Sequence, residues 1–291
     1  MFQHPEIASQ VTLLPVDILG VDAAILFADI LTLPSQMGFK INFSKKSGPI
    51  IFNPVETMGD LKKIHDFEGL PYLKKTIALA NRRLPGHIPL VGFAGSPFTV
   101  LCYLMEAGSS TNLYKTFHFA VQESEAFHKL MRRLTQNTIA YLNFQKEAGI
   151  RVFQLFDTWA GILRPADYAR WVLPYVREIF QKVDLPSIYY VKNSGPLLEW
   201  MDQCGADFLS VCHGVVLGHN RILKKTTRGI QGNLFNGLLY ADDRTLRKET
   251  REILEAARQY KRYIFNLSHG VFPDTPVDKL KLVVETVHRF R

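Results

Sequence analysis

Residues 152–159 have the sequence VFQLFDTW, a mostly apolar run that carries a hydroxyl side chain near its end. Two further runs have the same form: AAILFADI at residues 23–30 carries Asp29, and YIFNLSHG at residues 263–270 carries His269. Apolar runs of about eight residues bounded by Gly or Pro are typical of strands buried on both faces, as in parallel sheets. Polar groups at the ends of such strands indicate a (β/α)8 (TIM) barrel, because its working residues lie where strands lead into loops.

The composition fits one large globular domain. The chain has 291 residues, of which 47% are hydrophobic and 21% are charged, and one barrel of about 250 residues fits this length better than two small domains. There is no run of about eighteen apolar residues to span a membrane, and the opening MFQHPEIASQ lacks the pattern of a signal peptide. The three cysteines have no CxxC spacing, which argues against a disulfide framework or a thiolate zinc site. We therefore expect one domain over residues 1–291 in the reducing cytoplasm.

The chain is basic, with a formal charge of +8 and a pI near 9.3. This charge is either a surface property without special purpose or a field that attracts a polyanion. Nucleic acid is not the expected polyanion, because no basic stripe interleaves with aromatic residues and no zinc-finger or RNA-recognition motif is present. A small polycarboxylate in a cleft fits the charge equally well.

Helical and extended segments alternate along the chain. The predicted strands are residues 22–30, 89–95, 151–159, 187–193, 207–212, 229–234 and 263–267. The predicted helices are residues 5–19, 70–84, 97–104, 165–183, 197–203, 244–259 and 277–291, with two more between 111 and 148 whose boundary the sequence leaves open. A closed barrel of this kind needs eight strands. Seven candidates imply either an unrecognised strand or a first βα unit that is missing from this sequence.

Five motifs occur in a fixed order along the chain. They are VDAAILFADIL at 21–31, GFAGSPFTVLCYLMEAGS at 92–109, QLFDTWAG at 154–161, IQGNL at 230–234 and YIFNLSHGVFPDTP at 263–276. The second motif alone indicates only a βα turn in which Pro97 begins a helix. As an ordered set, the five resemble the uroporphyrinogen decarboxylase family over essentially the whole chain.

The resemblance implies a single (β/α)8 barrel, a homodimer, and catalysis without a metal or an organic cofactor. The implied reaction removes CO2 from the four acetate side chains of uroporphyrinogen and gives coproporphyrinogen, in haem biosynthesis. Since there is no cofactor to accept the electron pair, a protonated pyrrole ring of the substrate accepts it. The protein then has to hold a cationic ring beside an anion in a cleft that excludes water.

The resemblance assigns that anion to Asp29, the catalytic residue. It implies six further residues that bind substrate: Tyr103, Thr158, His269, Phe27, Phe93 and Phe156. The family has Ser where this chain has Thr158, and both supply a hydroxyl. Five of these residues, and His269 as a lone histidine, also have a structural interpretation. Asp29 fits a helix cap, Tyr103 fits a core aromatic residue with its hydroxyl at the rim, and the three Phe fit the core.

One motif of the family has no counterpart here. A strand followed by RQAGRY, whose two arginines bind substrate acetates, is expected before Pro5 and is not found. No other arginine takes its place, since Arg82, Arg83, Arg132 and Arg133 lie on helices predicted to face solvent. A mis-assigned start, a truncation and a decayed relative each explain this departure. We expect very low decarboxylase activity from the 291 residues without such a loop.

Two shorter departures lie at predicted strand ends. VCHGVVL at 211–217 stands where the family has a Leu-Asp-Trp run, and Phe235-Asn236 replaces an Asp-Pro pair. Two alternative functions therefore stay open. One is a barrel that does not catalyse. The other is a corrinoid-linked methyltransferase with a zinc site, although this chain has Lys192-Asn193-Ser194-Gly195 where that branch has His-x-Cys, and Cys212-His213 are adjacent rather than spaced.

Overall fold

The structure is a computed structural model that describes residues 3–44, 48–110 and 112–290. The strands are β1 Ala24–Ile25, β2 Ile41–Ser44, β3 Gly48–Ile51, β4 Leu90–Gly95, β5 Val152–Asp157, β6 Ser187–Val191, β7 Phe208–Ser210, β8 Gly229–Leu234 and β9 Tyr263–Leu267. The α-helices are α1 Pro5–Leu19, α2 Thr32–Gln36, α3 Pro71–Arg83, α4 Pro97–Glu106, α5 Tyr114–Gln122, α6 Ser124–Ala148, α7 Pro165–Trp171, α8 Leu173–Lys182, α9 Leu198–Met201, α10 Asp243–Ala257 and α11 Val277–His288. No helix in these ranges is long and apolar enough to cross a membrane.

Seven strands form one curled parallel sheet in the order β1-β4-β5-β6-β7-β8-β9. Because every neighbour in this order is parallel, the carboxyl ends of all seven strands lie along the same edge of the sheet. The α/β class predicted from the sequence is therefore confirmed. The two outermost strands of the sheet are β1 and β9. The helix that follows β9 ends at His288, whose Nε2 lies 3.0 Å from Oδ2 of Asp22, just before β1.

The first strand is much shorter than predicted. Residues 22–30 were expected to be extended, but only Ala24–Ile25 pair with β4. The backbone N–H of Leu26 still bonds to the carbonyl of Val91, and that of Phe27 then bonds to Oγ1 of Thr12 on α1. The strand ends there because a helix side chain replaces the ladder partner. The strands at Gly229–Leu234 and Tyr263–Leu267 have the predicted boundaries.

Two predicted helical regions each contain a break between two helices. The single helix expected over residues 165–183 is two helices, with Val172 between them at φ −121°. Pro174 explains the break, because it has no N–H to donate to the carbonyl of Arg170 four residues earlier. The break left open between 111 and 148 falls at Glu123, which separates α5 from α6.

The segment between β1 and α3 holds elements that the sequence analysis did not predict. The antiparallel hairpin β2–β3 lies in it, with Phe43 paired to Pro49. Phe43 and Ile50 are exposed whereas Ile51 is buried, so the apolar residues of the hairpin do not alternate clearly between a buried and an exposed face. The short helix α2 precedes this hairpin, directly after Asp29.

The core lies between the sheet and its surrounding helices. Phe153, Leu155 and Tyr189 point outward from the middle strands and are fully buried under the helix layer. The inner face is more polar: Nε2 of Gln231 donates to Oγ of Ser210 at 2.9 Å and to Oε1 of Gln154 at 3.2 Å. These hydrogen bonds connect the inner faces of β5, β7 and β8.

Candidate active site

A cavity of about 440 Å³ opens at the carboxyl ends of β1, β4 and β5. Five of the seven predicted site residues line it: Phe27, Asp29, Phe93, Phe156 and Thr158. The other lining residues are Val11, Pro15, Ile25, Leu26, Ala28 and Ile30. The cavity is thus an apolar pocket that contains one carboxylate, and residues more than a hundred positions apart in sequence meet in it.

Asp29 is held by its own turn. Its Oδ1 accepts a hydrogen bond from the backbone N–H of Leu31 at 2.8 Å, and its carbonyl accepts from the N–H of Thr32 at 2.9 Å. Burial raises the pKa of this carboxyl group, and the bond from Leu31 opposes that shift. The local bond fixes the orientation of the carboxylate, so a turn-capping role and a position in the cavity coexist in one side chain.

Two of the three aromatic rings pack edge to face. The ring centroids of Phe93 and Phe156 are 5.6 Å apart at an interplanar angle of 86°. Phe93 is buried, whereas Phe156 and Phe27 are half-buried and present ring surface to the cavity. Rings at these positions supply a flat apolar wall against which an aromatic ligand can pack.

Tyr103 lies beside this cavity rather than in its wall. It is half-buried on α4, and its ring contacts that of Trp159 at 6.0 Å. Burial is the main cause that raises the pKa of Tyr103, and the negative charge of Asp29 adds to it. The tyrosine therefore stays protonated within electrostatic reach of Asp29, but no hydrogen bond between them is present in the described chain.

His269 is further away, on the exposed loop after β9. Its Nδ1 accepts a hydrogen bond from the N–H of Gly270 at 2.6 Å, which leaves the proton of the neutral ring on Nε2. Burial lowers the pKa of His269, and the positive charge of Lys192 lowers it further. His269 is consequently a neutral N–H donor near pH 7 rather than a cation.

A row of rings connects His269 with the cavity. Tyr190 on β6 lies 5.6 Å from the ring of Phe156 and 6.3 Å from that of His269. The sequence analysis did not single out Tyr190. Tyr190 pairs with Phe156 in the register between β5 and β6 and faces the same side of the sheet, so alignment of these two strands would have indicated it.

The sequence analysis also missed Asp157, which lies on the opposite face of the sheet from Thr158. It is fully buried and accepts hydrogen bonds from Ser96 Oγ at 2.8 Å, Thr99 Oγ1 at 2.7 Å and Tyr189 OH at 2.8 Å. Burial raises the pKa of Asp157, and these hydroxyl bonds oppose the shift. The backbone N–H of Trp159 bonds in turn to Thr99 Oγ1. This Asp157 network fixes the turn after β4 to the loop that carries Thr158.

The same loop is in close contact with β6. A Cβ added at Gly161 would lie 1.7 Å from the carbonyl oxygen of Lys192. We expect Gly161→Ala to lower the free energy of unfolding by about 2–3 kcal/mol, because two backbones would have to separate. Urea denaturation measures this change. Gly86→Ala is the matched control, since a Cβ there meets nothing within 4 Å. Equal stability of the two variants would contradict this contact.

Metal ligands do not cluster in the described residues. No group of three or more His, Cys, Asp or Glu side chains in them is arranged to hold a metal ion. His213 instead pairs its Nδ1 with Oγ of Ser268 at 3.0 Å, and its ring contacts that of Phe235 at a centroid distance of 4.6 Å and a tilt of 43°. Cys212 is buried as a free thiol.

Comparison with known proteins supplies the family. A model of the family described as uroporphyrinogen decarboxylase (URO-D) matches residues 1–290. The chain belongs to the uroporphyrinogen decarboxylase family. The uroporphyrinogen decarboxylase of Carboxydothermus hydrogenoformans is 39% identical over 294 residues, covering 99% of this chain and 84% of that protein. The one from Thermodesulfovibrio yellowstonii is 41% identical, covering 100% of this chain and 86% of that protein.

Solved structures agree on the fold. A methyltransferase from Methanosarcina mazei superposes with a TM-score of 0.83 at 19% identity, covering 98% of this chain and 85% of the other. A B12-independent methionine synthase from a Shewanella species gives a TM-score of 0.65 at 10% identity, covering 98% and 88%. At these identities the likeness concerns the fold alone.

The residues that depart from the uroporphyrinogen decarboxylase pattern make specific contacts in the structure. Asn236 donates from Nδ2 to the carbonyl of Gly270 at 3.0 Å, so it ties the loop after β8 to the loop after β9. The ring of Phe235 contacts that of His213, the residue that stands in the altered Leu-Asp-Trp region. In this member of the uroporphyrinogen decarboxylase family the two departures thus contact each other, away from Asp29.

Proposed function

We propose that this protein decarboxylates the acetate side chains of uroporphyrinogen to give coproporphyrinogen, in haem biosynthesis and without a cofactor. The observation that carries the proposal is the placement of Asp29 in an apolar cavity beside Phe27, Phe93 and Phe156, at the carboxyl ends of parallel strands. Membership of the family gives the reaction, and the cavity supplies what its chemistry requires.

That chemistry is a matter of charge. A pyrrole ring of the substrate takes a proton at a ring carbon and becomes cationic. The bond between the acetate methylene and its carboxylate then breaks, CO2 leaves, and the electron pair neutralises the ring. The methylene carbon finally takes a proton to become methyl, while the ring carbon releases one. The protein lowers the barrier by stabilising the cationic ring.

Asp29 is the residue we propose for this stabilisation. The backbone N–H of Leu31 orients Oδ1 of Asp29. In this proposal the Asp29 carboxylate accepts hydrogen bonds from the inward pyrrole N–H groups. Burial destabilises the ionised carboxylate of Asp29 in the free protein. The same low-polarity surroundings strengthen its attraction to a bound cationic ring. The three Phe rings exclude water, which keeps the interaction strong.

The remaining predicted residues bind substrate carboxylates in this proposal. Thr158 donates from its hydroxyl, Tyr103 donates from a phenol that stays protonated, and His269 donates from Nε2. Because Tyr103 and His269 lie outside the wall around Asp29, we propose that they contact side chains at the periphery of the tetrapyrrole rather than the reacting ring.

We further propose that residues 1–291 form one domain that contains seven strands of an eight-stranded barrel. In the described residues, β1 pairs only with β4 and β9 only with β8. The outer backbone groups of β1 and β9 are therefore available to pair with a further strand. The strand and arginine loop typical of the family would fit between these two edges, next to Asp29.

Family membership also favours an oligomeric state and a location. We propose a cytoplasmic homodimer. Exposed apolar side chains on the loops after β8 and β9 support a partner surface; they are Phe235, Tyr240, Val271 and Phe272. The three buried free cysteines suit a reducing compartment.

The test is an assay of porphyrinogen turnover. The 291-residue chain is compared with a form that is extended through any in-frame codons upstream of Met1, and the faster form is the reference enzyme for the substitutions below. We expect the reference enzyme to convert uroporphyrinogen to coproporphyrinogen, and an extension with an Arg-Gln-Ala-Gly-Arg-like stretch to raise the rate strongly. Failure of both forms, or about one bound zinc per chain, would contradict the proposal.

A further inference from the structure

We propose that Lys192 binds a peripheral carboxylate of the porphyrinogen, between Thr158 and His269. This inference rests on the proposed function, because it names a substrate-binding residue for the same reaction. It concerns a residue that the resemblance did not assign to the site.

Lys192 is distinguished first by its position. It follows β6 directly, and the carboxyl ends of the seven parallel strands share one edge of the sheet. Among the described residues that lie within three positions of those ends, Lys192 is the only Lys or Arg. A substrate that bears acetate and propionate groups on every pyrrole therefore meets one cation among the residues at the ends of the strands.

The register places this cation beside the cavity. Phe156 pairs with Tyr190 and Asp157 with Val191, the last pair of this ladder, so Thr158 and Lys192 are the residues that directly follow two neighbouring strands. Strand alternation gives Lys192 the same inward face as Tyr190, whose ring contacts Phe156. The near contact between the backbones of Gly161 and Lys192 shows independently that the Thr158 loop lies against this residue.

Lys192 also forms no ion pair with any carboxylate of the described residues. It is half-buried, and in the described residues no carboxylate lies within 4.0 Å of its amine, whereas eleven of the other lysines and arginines form such pairs. A half-buried ammonium without a counterion has lost part of its hydration without gaining an anion in exchange. An incoming carboxylate supplies that anion.

The neighbouring His269 shows which of the two side chains carries the positive charge. The positive charge of Lys192 lowers the pKa of His269, after burial as the larger cause, which places the two side chains within electrostatic reach. His269 therefore contributes a neutral N–H and Lys192 contributes the charge. A hydroxyl, an ammonium and an imidazole N–H together form three donors for carboxylate oxygens.

The substitution Lys192→Met tests the inference, because it keeps the chain length and removes the charge. We expect the KM of the reference enzyme for uroporphyrinogen to rise about tenfold, with kcat changed less than about twofold, as for a contact made equally before and during the reaction. The dissociation constant for uroporphyrin, the oxidised tetrapyrrole with the same carboxylates, rises by the same factor in a fluorescence titration. Lys192→Arg keeps the charge and restores binding to within about threefold.

Lys225→Met is the matched control, since it changes the net charge equally at an exposed residue away from the strand ends. We expect no change in KM for it. The wild-type KM also rises more steeply with added NaCl than that of Lys192→Met, because salt screens an ion pair. Turnover with an unchanged KM and an unchanged uroporphyrin affinity in Lys192→Met would overturn the inference alone. A wild-type enzyme without turnover would instead overturn the proposed function, before any variant is made.

Discussion

Replacing Asp29 by Asn is expected to lower kcat/KM for uroporphyrinogen by about 100-fold or more, while the folded protein becomes equally or more stable. An amide keeps the shape of the side chain and still accepts the bond from Leu31 through Oδ1. It removes the negative charge that offsets the cationic ring, and losing one such electrostatic partner typically reduces the rate by about 10²–10³.

The opposite sign of the stability change follows from linkage. Burial raises the pKa of Asp29, so the folded state binds the proton more tightly than the unfolded chain does. The stabilisation from this group is complete below the unfolded pKa and is lost as the pH rises through the folded pKa. At neutral pH the ionised carboxylate therefore destabilises the fold, and Asn removes that penalty.

Two measurements check this result together. Steady-state kinetics give the loss of rate, and urea denaturation at pH 7 gives the free energy of unfolding. Asp184→Asn is the control, because that carboxylate is fully exposed beside Lys146. We expect it to change neither quantity. Near wild-type turnover in Asp29→Asn would remove Asp29 from the proposed role, whereas lost turnover with lost stability would indicate a structural role.

Replacing Asp157 by Ala is expected to lower the free energy of unfolding by about 3 kcal/mol, because it leaves buried hydroxyls of Ser96, Thr99 and Tyr189 without their common acceptor. Asp157→Asn keeps one acceptor oxygen, so we expect a smaller loss of about 1 kcal/mol. Urea denaturation of both variants, with Asp184→Ala as the exposed control, measures the difference.

The pH dependence gives a second readout for Asp157. Burial raises its pKa, so its stabilising contribution is largest at low pH and declines as the pH rises through the folded value. The stability difference between wild type and Asp157→Asn should therefore narrow as the pH increases. A difference that widened with pH would show that the ionised form is the stabilising one. Equal stability of Asp157→Ala and wild type would contradict the network itself.

The two carboxylates show how differently sequence reasoning treats neighbouring residues. Asp29 is in a motif whose family role is specific, and the structure brings it to a cavity with four other predicted residues. Asp157 is part of an equally well recognised motif, QLFDTWAG, but strand alternation turns it to the helix side of the sheet. Its three partners come from two other segments, so no local pattern could reveal them.

The sequence by itself determined the α/β class, the positions of the seven sheet strands and the family, because apolar periodicity and motif order are local properties of the chain. Only the tertiary structure decided the rest: the end of β1 at Thr12, the break before Pro174, the location of His269 outside the cavity, and the close approach of the Lys192 backbone to Gly161. These depend on register and contact between distant segments. A pattern of single residues shows which side chains a strand carries, but the pairing of strands sets which of them meet.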